Sequence, residues 1–256
     1  MQIIFYIFIA SIGLTLGSFI AAWVSRAHFG ISVSSGRSHC VHCKYTLETI
    51  DLIPVLSFIL LKGKCKKCST KISSHYFFTE LVFMLGLLFL AYFNHANFFH
   101  ISSVFVFHSI AWFFLTAIFV SDFLYQEIPF EMTTFSTCIL FFFAFASGLM
   151  DWKNMALGAI IASGFFLIQY LLSKGRWIGF GDVIFGLLMG VILGWQKTIL
   201  ALCLAYIVGA VCGAILLLRK KAKKDSALAF GTFLSLATFV AMLWGEKIIA
   251  WYLHFV

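Results

Sequence analysis

Charged residues are scarce in this chain of 256 residues, where Asp, Glu, Lys and Arg together make up 11% of the sequence. Soluble domains carry about a quarter charged residues, so this composition excludes a soluble globular protein. A hydrophobic share of 62% and a mean hydropathy of +1.02 exclude an intrinsically disordered chain as well. Only two prolines are present, and no Pro-rich or Ser-rich linker interrupts the chain. The remaining class is an integral membrane protein built from helices.

Charge is absent from residues 1–25. A secretory signal peptide normally has basic residues ahead of its apolar run, whereas the first basic residue here, Arg26, follows the run. We therefore expect a retained transmembrane helix over residues 1–25. Other apolar runs, each with at most one charged residue, approach the ~20 residues that a helix needs to cross a bilayer. They predict further spans near 76–94, 98–120, 133–150, 155–173, 179–196, 198–218 and 227–245. The predicted fold is an all-α polytopic membrane protein with about eight transmembrane helices.

Basic residues are concentrated in three predicted loops. Of the 18 lysines and arginines, eight lie in residues 26–75, two in 174–178 and five in 219–226. With eight alternating spans, these loops share one side of the membrane. Cytoplasmic loops carry an excess of Lys and Arg, so we expect this side to face the cytoplasm and both chain termini to lie outside. Topology accounts for most of the net charge of +8, and no nucleic-acid partner is expected.

Four of the seven cysteines form two Cys-x-x-Cys pairs, Cys40 with Cys43 and Cys65 with Cys68. Four thiolates complete a tetrahedral Zn²⁺ site and tie together a loop too small for its own core. The sequence therefore predicts a small, zinc-ribbon-like cytoplasmic loop domain. Redox-active dithiols or disulfides are the alternative, which a cytoplasmic location disfavours.

Three of the ten acidic residues, Glu80, Asp122 and Asp182, lie in or beside predicted spans. Ionisable groups at this depth are costly and indicate function. Asp122 lies where the third span reaches the cytoplasm, and Asp182 lies where the sixth span leaves it. Two carboxylates in one poorly hydrated site share a proton and can activate water, which is the chemistry of an aspartic protease. A non-enzymatic transport or assembly component is the alternative, because transporters also carry intramembrane acids.

The residues around the aspartates support this interpretation. Gly179 and Gly181 allow a tight backbone and close approach of another chain segment beside Asp182. Pro129 follows Asp122 and marks the end of a helix.

The ordered set of motifs resembles the type IV prepilin peptidases, a family of bifunctional leader peptidases and N-methyltransferases of the Gly-x-Gly-Asp membrane aspartic protease type. The matching segments are Leu16-Gly17-Ser18-Phe19-Ile20 with Arg26, the two cysteine pairs, Asp51-Leu52-Ile53-Pro54, Gly63-Lys64-Cys65, Glu80-Leu81, Asp122 before Ile128-Pro129, Gly179-Phe180-Gly181-Asp182-Val183 and Ala229-Phe230-Gly231.

The resemblance implies an enzyme of the bacterial inner membrane whose active site faces the cytoplasm. It implies that Asp122 and Asp182 cleave basic leaders after Gly from type IV prepilins and type II secretion pseudopilins. S-adenosylmethionine would then methylate the new N-terminal residue. Gly17, Ser18, Arg26 and Glu80 are candidates for binding the methyl donor or the mature N-terminus.

The resemblance also implies a division into three parts. These are a first helix over 1–25, a methyltransferase-associated loop domain over 26–75 and a seven-helix peptidase domain over 76–256. Several positions depart from the family pattern. Phe130 follows Ile128-Pro129, and Lys44 and Ser69 follow the second cysteine of each pair, where the family often has other residues. A peptidase without methyltransferase activity is therefore a further alternative.

Overall fold

The structure, a computed structural model, describes residues 1–32, 36–219 and 229–254. Within these ranges the regular structure is helical, apart from three isolated β-bridges and one 3-10 turn. The helices are α1 (Gln2–His28), α2 (Leu56–Leu60), α3 (His75–Phe93), α4 (Ser103–Tyr125), α5 (Phe130–Ala146), α6 (Trp152–Ser173), α7 (Phe180–Leu218) and α8 (Phe230–His254).

Long apolar segments form helices because a bilayer offers no water to the backbone, so each segment must satisfy its own N–H and C=O groups. By length and composition, six helices of the described chain can cross a membrane: α1, α3, α4, α6, α7 and α8. The prediction of an all-α membrane protein is confirmed. The chain divides into two compact units, Met1–Phe105 and Val106–Val256. The predicted domain limits at residues 25 and 75 stay a prediction.

The first unit is built on the packing of α1 against α3. Gly13 and Gly17 make this packing close, because a Cβ at either position would lie within 2.8 Å of a backbone Cα of α3. The opposing residues are Met84 and Glu80, respectively. Two glycines one turn apart thus bring the backbone of α1 directly onto α3, as small residues do in membrane helix pairs.

In the second unit, α6 and the first half of α7 approach each other closely along a row of small residues. A Cβ at Gly186 would lie 2.7 Å from the backbone nitrogen of Ser163, and one at Gly190 would overlap the backbone of Gly158 and Ala159. Side chains larger than hydrogen are therefore excluded from α7 along this row.

The helix α7 reverses direction at Gly194, which has φ 68° and ψ 175°. Phe180 packs against Tyr170 with ring centroids 5.7 Å apart, and the Tyr206 hydroxyl donates to Gln169 at 3.0 Å. In a straight helix Phe180 and Tyr206 would be about 39 Å apart. Because their partners are neighbours on α6, both halves of α7 must run along α6 in opposite directions.

The side chain of Asn154 completes this turn. Its Oδ1 accepts a hydrogen bond from the Trp195 N–H at 3.0 Å, so one of the first amides of the second half of α7 is satisfied. A Cβ at Gly194 would lie 2.7 Å from the Asn154 amide group, so both the positive φ and the close contact require glycine.

Divided at Gly194, α7 contains the predicted spans near 179–196 and 198–218 as separate helices. The first half is about 21 Å long, which is shorter than a hydrocarbon core of about 30 Å. Helix α5 is also short, with 17 residues. The count of eight membrane spans therefore stays a prediction.

The glycine row yields a stability prediction. We expect Gly190→Ala to destabilise the protein by about 3 kcal/mol, because even one methyl group must push α6 and α7 apart. The matched control is Gly164→Ala on α6, where a Cβ meets nothing within 4 Å. That change should be neutral or stabilising by up to ~1 kcal/mol. Thermal unfolding of both variants in detergent compares them, and equal stabilities would contradict the packing described.

Candidate active site and cysteine cluster

Asp122 lies near the end of α4 and is 5% exposed. Its Oδ2 accepts a hydrogen bond from the Thr232 N–H at 2.8 Å, at the start of α8. A Cβ at Gly231 would lie 3.0 Å from both Cγ and Oδ2 of Asp122, so glycine leaves the space that the carboxylate occupies. The N-terminus of α8 thus faces Asp122, where its amides and its positive dipole end stabilise negative charge.

Asp182 lies in the first turn of α7 and is 7% exposed. Its Oδ2 accepts a hydrogen bond from the Gly179 N–H at 3.0 Å, so the carboxylate caps the beginning of its own helix. Both aspartates therefore hold one carboxylate oxygen on a backbone amide at a helix start.

Ile128 packs beside both aspartates, against a glycine near each of them. A Cβ at Gly181 would lie 2.8 Å from Ile128 Cβ, and one at Gly231 would lie 2.9 Å from Ile128 Cδ1. The two carboxylates also interact electrostatically. The structure thus places Asp122 and Asp182 in one region of the second unit.

Three further predicted residues lie in the same region. Gly179 is the N-cap of α7 and Gly181 lies in its first turn, and Pro129 directly follows Ile128 as the N-cap of α5. Two buried carboxylates within electrostatic reach cannot both stay ionised cheaply, so the pair is suited to holding one proton and one water.

Two contacts of this region were not predicted as site elements, the amide of Thr232 and the side chain of Ile128. Gly231 was the available signal for the first, because a glycine at a helix start permits close approach of another group. Ile128 belongs to the Ile128-Pro129 motif, but its contacts with Gly181 and Gly231 depend on segments distant in sequence.

The four paired cysteines meet in the first unit, with their sulfur atoms all within 4.8 Å of one another. Cys40 and Cys68 Sγ are 3.9 Å apart, and Cys43 and Cys65 Sγ are 4.0 Å apart. A tetrahedral zinc ion with Zn–S bonds of about 2.3 Å requires sulfur separations of about 3.8 Å. The cluster therefore fits zinc in both ligand type and spacing.

Both cysteine pairs are built by the same local turn. The amide of Lys44 donates to the Cys40 carbonyl, and that of Ser69 donates to the Cys65 carbonyl, each at 2.9 Å. Lys44 and Ser69 both have φ 57°, in the left-handed region that glycine favours. The absence of glycine after the second cysteine of each pair thus does not prevent the turn.

Hydrogen bonds favour thiolates at two of the cysteines. The backbone amides of Cys43 and His42 lower the pKa of the Cys40 thiol, and the Thr70 hydroxyl and amide lower the pKa of the Cys68 thiol to about 6. The Tyr45 amide lowers the pKa of the Cys43 thiol. Desolvation and the three neighbouring sulfurs outweigh this effect and raise the pKa to about 11. Thiolate is the form that binds metal, and a cation would relieve the repulsion among the four sulfurs.

Glu80 forms a second polar cluster in the first unit. This residue is 7% exposed, and its Oε2 accepts a hydrogen bond from the Val55 N–H at 2.6 Å. The Ser18 side chain also hydrogen-bonds the carboxylate, and Gly17 lies directly against the Glu80 backbone. The structure thus brings Gly17, Ser18 and Glu80 together. Arg26 lies about two turns further along α1, in its last turn.

Residues 11–95 match the Bacterial Peptidase A24 N-terminal domain, and residues 109–214 match the Type IV leader peptidase family. No solved structure matches.

Several curated proteins named prepilin leader peptidase/N-methyltransferase are similar to this chain. One from Bacillus subtilis is 31% identical over 94% of this chain and 95% of its own length. One from Legionella pneumophila is 30% identical over 86% of this chain and 76% of its own length, and one from Pseudomonas aeruginosa is 29% identical over 85% and 75%. On these matches along most of its length, the chain belongs to the type IV leader peptidase family.

Proposed function

We propose that this protein cleaves the basic leader peptide from type IV prepilins after Gly and then methylates the new N-terminal residue. The observation that carries the proposal is the pair of buried carboxylates, Asp122 and Asp182, each fixed by a backbone amide and within electrostatic reach of the other. The relatives from B. subtilis and L. pneumophila, whose names state both activities, support it.

Cleavage at this pair follows aspartic-protease chemistry. The ionised carboxyl group takes a proton from water as the water oxygen attacks the scissile carbonyl carbon. The protonated carboxyl group gives its proton to the leaving amine nitrogen as the C–N bond breaks. The amides of Thr232 and Gly179 keep both carboxyl groups oriented throughout. The pair titrates as one unit, so each role belongs to the pair.

The substrate is a hydrophobic helix preceded by a basic leader. A helical peptide bond resists attack because its carbonyl is hydrogen-bonded within the helix. A Gly at the cleavage site weakens the helix by about 1 kcal/mol relative to Ala and favours local opening there. We propose that type II secretion pseudopilins, which share this organisation, are also substrates.

The location of the reaction rests on the distribution of charge. Eight of the 18 basic residues lie in residues 26–75, which contain the cysteine cluster. By the positive-inside rule, we propose that this loop and the active site face the cytoplasm at the bacterial inner membrane, with both termini outside.

We further propose that Cys40, Cys43, Cys65 and Cys68 hold a structural zinc ion. Zinc would supply the cross-link between the two cysteine turns, and would so stabilise the loop domain over 26–75. The sulfur separations near 4 Å support this assignment.

For methylation, S-adenosylmethionine supplies the methyl group. When bound, it would transfer this methyl group to the amine nitrogen of the new N-terminus. We assign the binding of donor or amine to the region of Gly17, Ser18 and Glu80, together with Arg26. Glu80 also holds the Val55 amide, so it orders the segment between the two cysteine pairs at this place.

The role of the aspartate pair in cleavage is tested by Asp122→Asn and Asp182→Asn. We expect each change to reduce leader removal by about 10³-fold or more, because an amide cannot exchange the proton. Co-expression with a prepilin, followed by gel and mass spectrometry, measures the cleaved fraction. Asp151→Asn, at the N-cap of α6, is the matched control and should cleave normally, since Asn caps a helix as well as Asp. Normal cleavage by either aspartate variant, when it is folded and inserted in the membrane, would remove that residue from the mechanism.

The metal assignment is tested by Cys65→Ser at the buried ligand. We expect one zinc per chain in the purified wild type and a loss of zinc from the variant, because a serine hydroxyl is a poor zinc ligand. Elemental analysis by mass spectrometry measures the ratio. Cys203→Ser, at an exposed cysteine of α7, should retain the metal. Zinc-free wild type, purified without chelator, would refute the assignment.

The Glu80 region is tested by Glu80→Ala. Loss of hydrogen bonds to a charged group costs about 1.5–3 kcal/mol, so we expect methylation to fall by about 10-fold to 100-fold while cleavage continues. The measurement is the fraction of cleaved pilin that is heavier by one methyl group replacing one hydrogen.

The control for this experiment is Glu48→Ala in the same unit. Glu48 forms an exposed ion pair with Lys66 at 2.9 Å, and such pairs contribute little, so both activities should persist. Equal losses of cleavage and methylation in Glu80→Ala would contradict a role specific to methylation.

A further inference from the structure

One hydrogen bond of the second unit joins two residues that belong to none of the sequence motifs, Tyr206 and Gln169. The Tyr206 hydroxyl donates to Gln169 Oε1 at 3.0 Å and so joins the second half of α7 to α6. Both side chains are partly buried in apolar helices. Polar groups are costly in hydrocarbon unless they are bonded to each other, and their mutual bond gives each a single preferred orientation.

The ring of Tyr206 contacts the first residue of α8. Its centroid lies 5.0 Å from that of Phe230 and 5.6 Å from that of Phe165, both edge to face. Phe166 also packs on Phe230, with centroids 6.3 Å apart. Phe230 is therefore held by rings from α6 and α7, one of which is oriented by Gln169.

Phe230 directly precedes the residues that hold Asp122. The Thr232 amide donates to Asp122 Oδ2 at 2.8 Å, and Gly231 leaves the space for that carboxylate. Helical backbone is stiff over one turn, so any displacement of Phe230 also moves the Thr232 amide and the carboxylate bound to it.

The chain next to this pair also contacts the segment of the second aspartate. Tyr170, the neighbour of Gln169, packs on Phe180, which is two residues before Asp182. The charge of Asp182 also acts on the Tyr206 phenol. Tyr206 thus contacts the start of α8, which holds Asp122, and is within electrostatic reach of Asp182.

We propose that the hydrogen bond between Tyr206 and Gln169 positions the start of α8, and through it the Asp122 carboxylate, relative to Asp182. Both are positioning residues, since they act through Phe230 and the Thr232 amide. The inference rests on the proposed peptidase function. Reacting groups displaced by about 1 Å can lose about 100-fold in rate, so a smaller displacement should still be measurable.

The test uses Tyr206→Phe in the purified full chain, with a prepilin as substrate in detergent micelles. This change removes only the hydroxyl and keeps the ring that packs on Phe230. We expect kcat to fall about 10-fold and KM to stay within about twofold, because geometry rather than binding is altered. The melting temperature should stay within about 4 °C of the wild type.

Gln169→Met provides the second arm, since it removes the acceptor at similar volume and leaves Tyr206 intact. We expect the same fall in kcat, and no further fall in the double variant, because both changes break one bond. The control is Tyr252→Phe, which removes an exposed hydroxyl near the C-terminal end of α8 and should leave kcat unchanged.

Wild-type kcat in a folded Tyr206→Phe variant would overturn the inference. Additive losses in the double variant, or a loss of kcat that parallels a lowered melting temperature, would do the same. If Tyr206→Phe does not fold, kcat and melting temperature of Gln169→Met decide alone. Wild-type protein that cleaves no prepilin refutes the proposed function itself, which is a separate result.

Discussion

The cost of burying two carboxylates in apolar helices is the constraint on which the second unit depends. An unpaired carboxylate at this depth costs several kcal/mol. The fold offsets this cost with backbone amides, using Thr232 for Asp122 and Gly179 for Asp182. Amides at helix starts stabilise negative charge without neutralising it, so the carboxyl groups remain free to exchange a proton. The glycines beside them are required for the same reason, since Gly231 gives the space into which the Asp122 carboxylate fits.

Small residues bring helices close together in both units. In the first unit, Gly17 places α1 against Glu80, and in the second, Gly190 places α7 against α6. Lipid provides no hydrophobic drive between helices, so close backbone packing and a few polar bonds must hold them. The turn at Gly194, fixed by Asn154, allows both halves of α7 to pack on α6 and so brings Tyr206 to the level of Asp182.

The residues of the candidate site were predictable from the sequence, but the contacts that bring them together were not. Asp122 and Asp182 stood out because acidic residues are rare in apolar runs, and the cysteine pairs stood out because their spacing matches a metal site. The contact of Glu80 with the Val55 amide was not predictable, since a backbone donor in a loop has no sequence signature. Ile128 belongs to a recognised motif, but its contacts with Gly181 and Gly231 were not predictable, because these glycines are distant from it in sequence.

The sequence by itself determined the membrane class, the approximate positions of the long helices and the identity of the ionisable and thiol groups. These follow from composition, the length of uncharged runs and ligand chemistry, all of which are local properties. Tertiary structure decided which groups meet: the Thr232 amide reaches Asp122 across 110 residues of sequence, and Tyr206 reaches Gln169 across 37. It also decided that Gly194 reverses α7, because the positive φ there is maintained by Asn154 of another helix. Contacts of this kind depend on how helices pack, and no run of neighbouring residues encodes them.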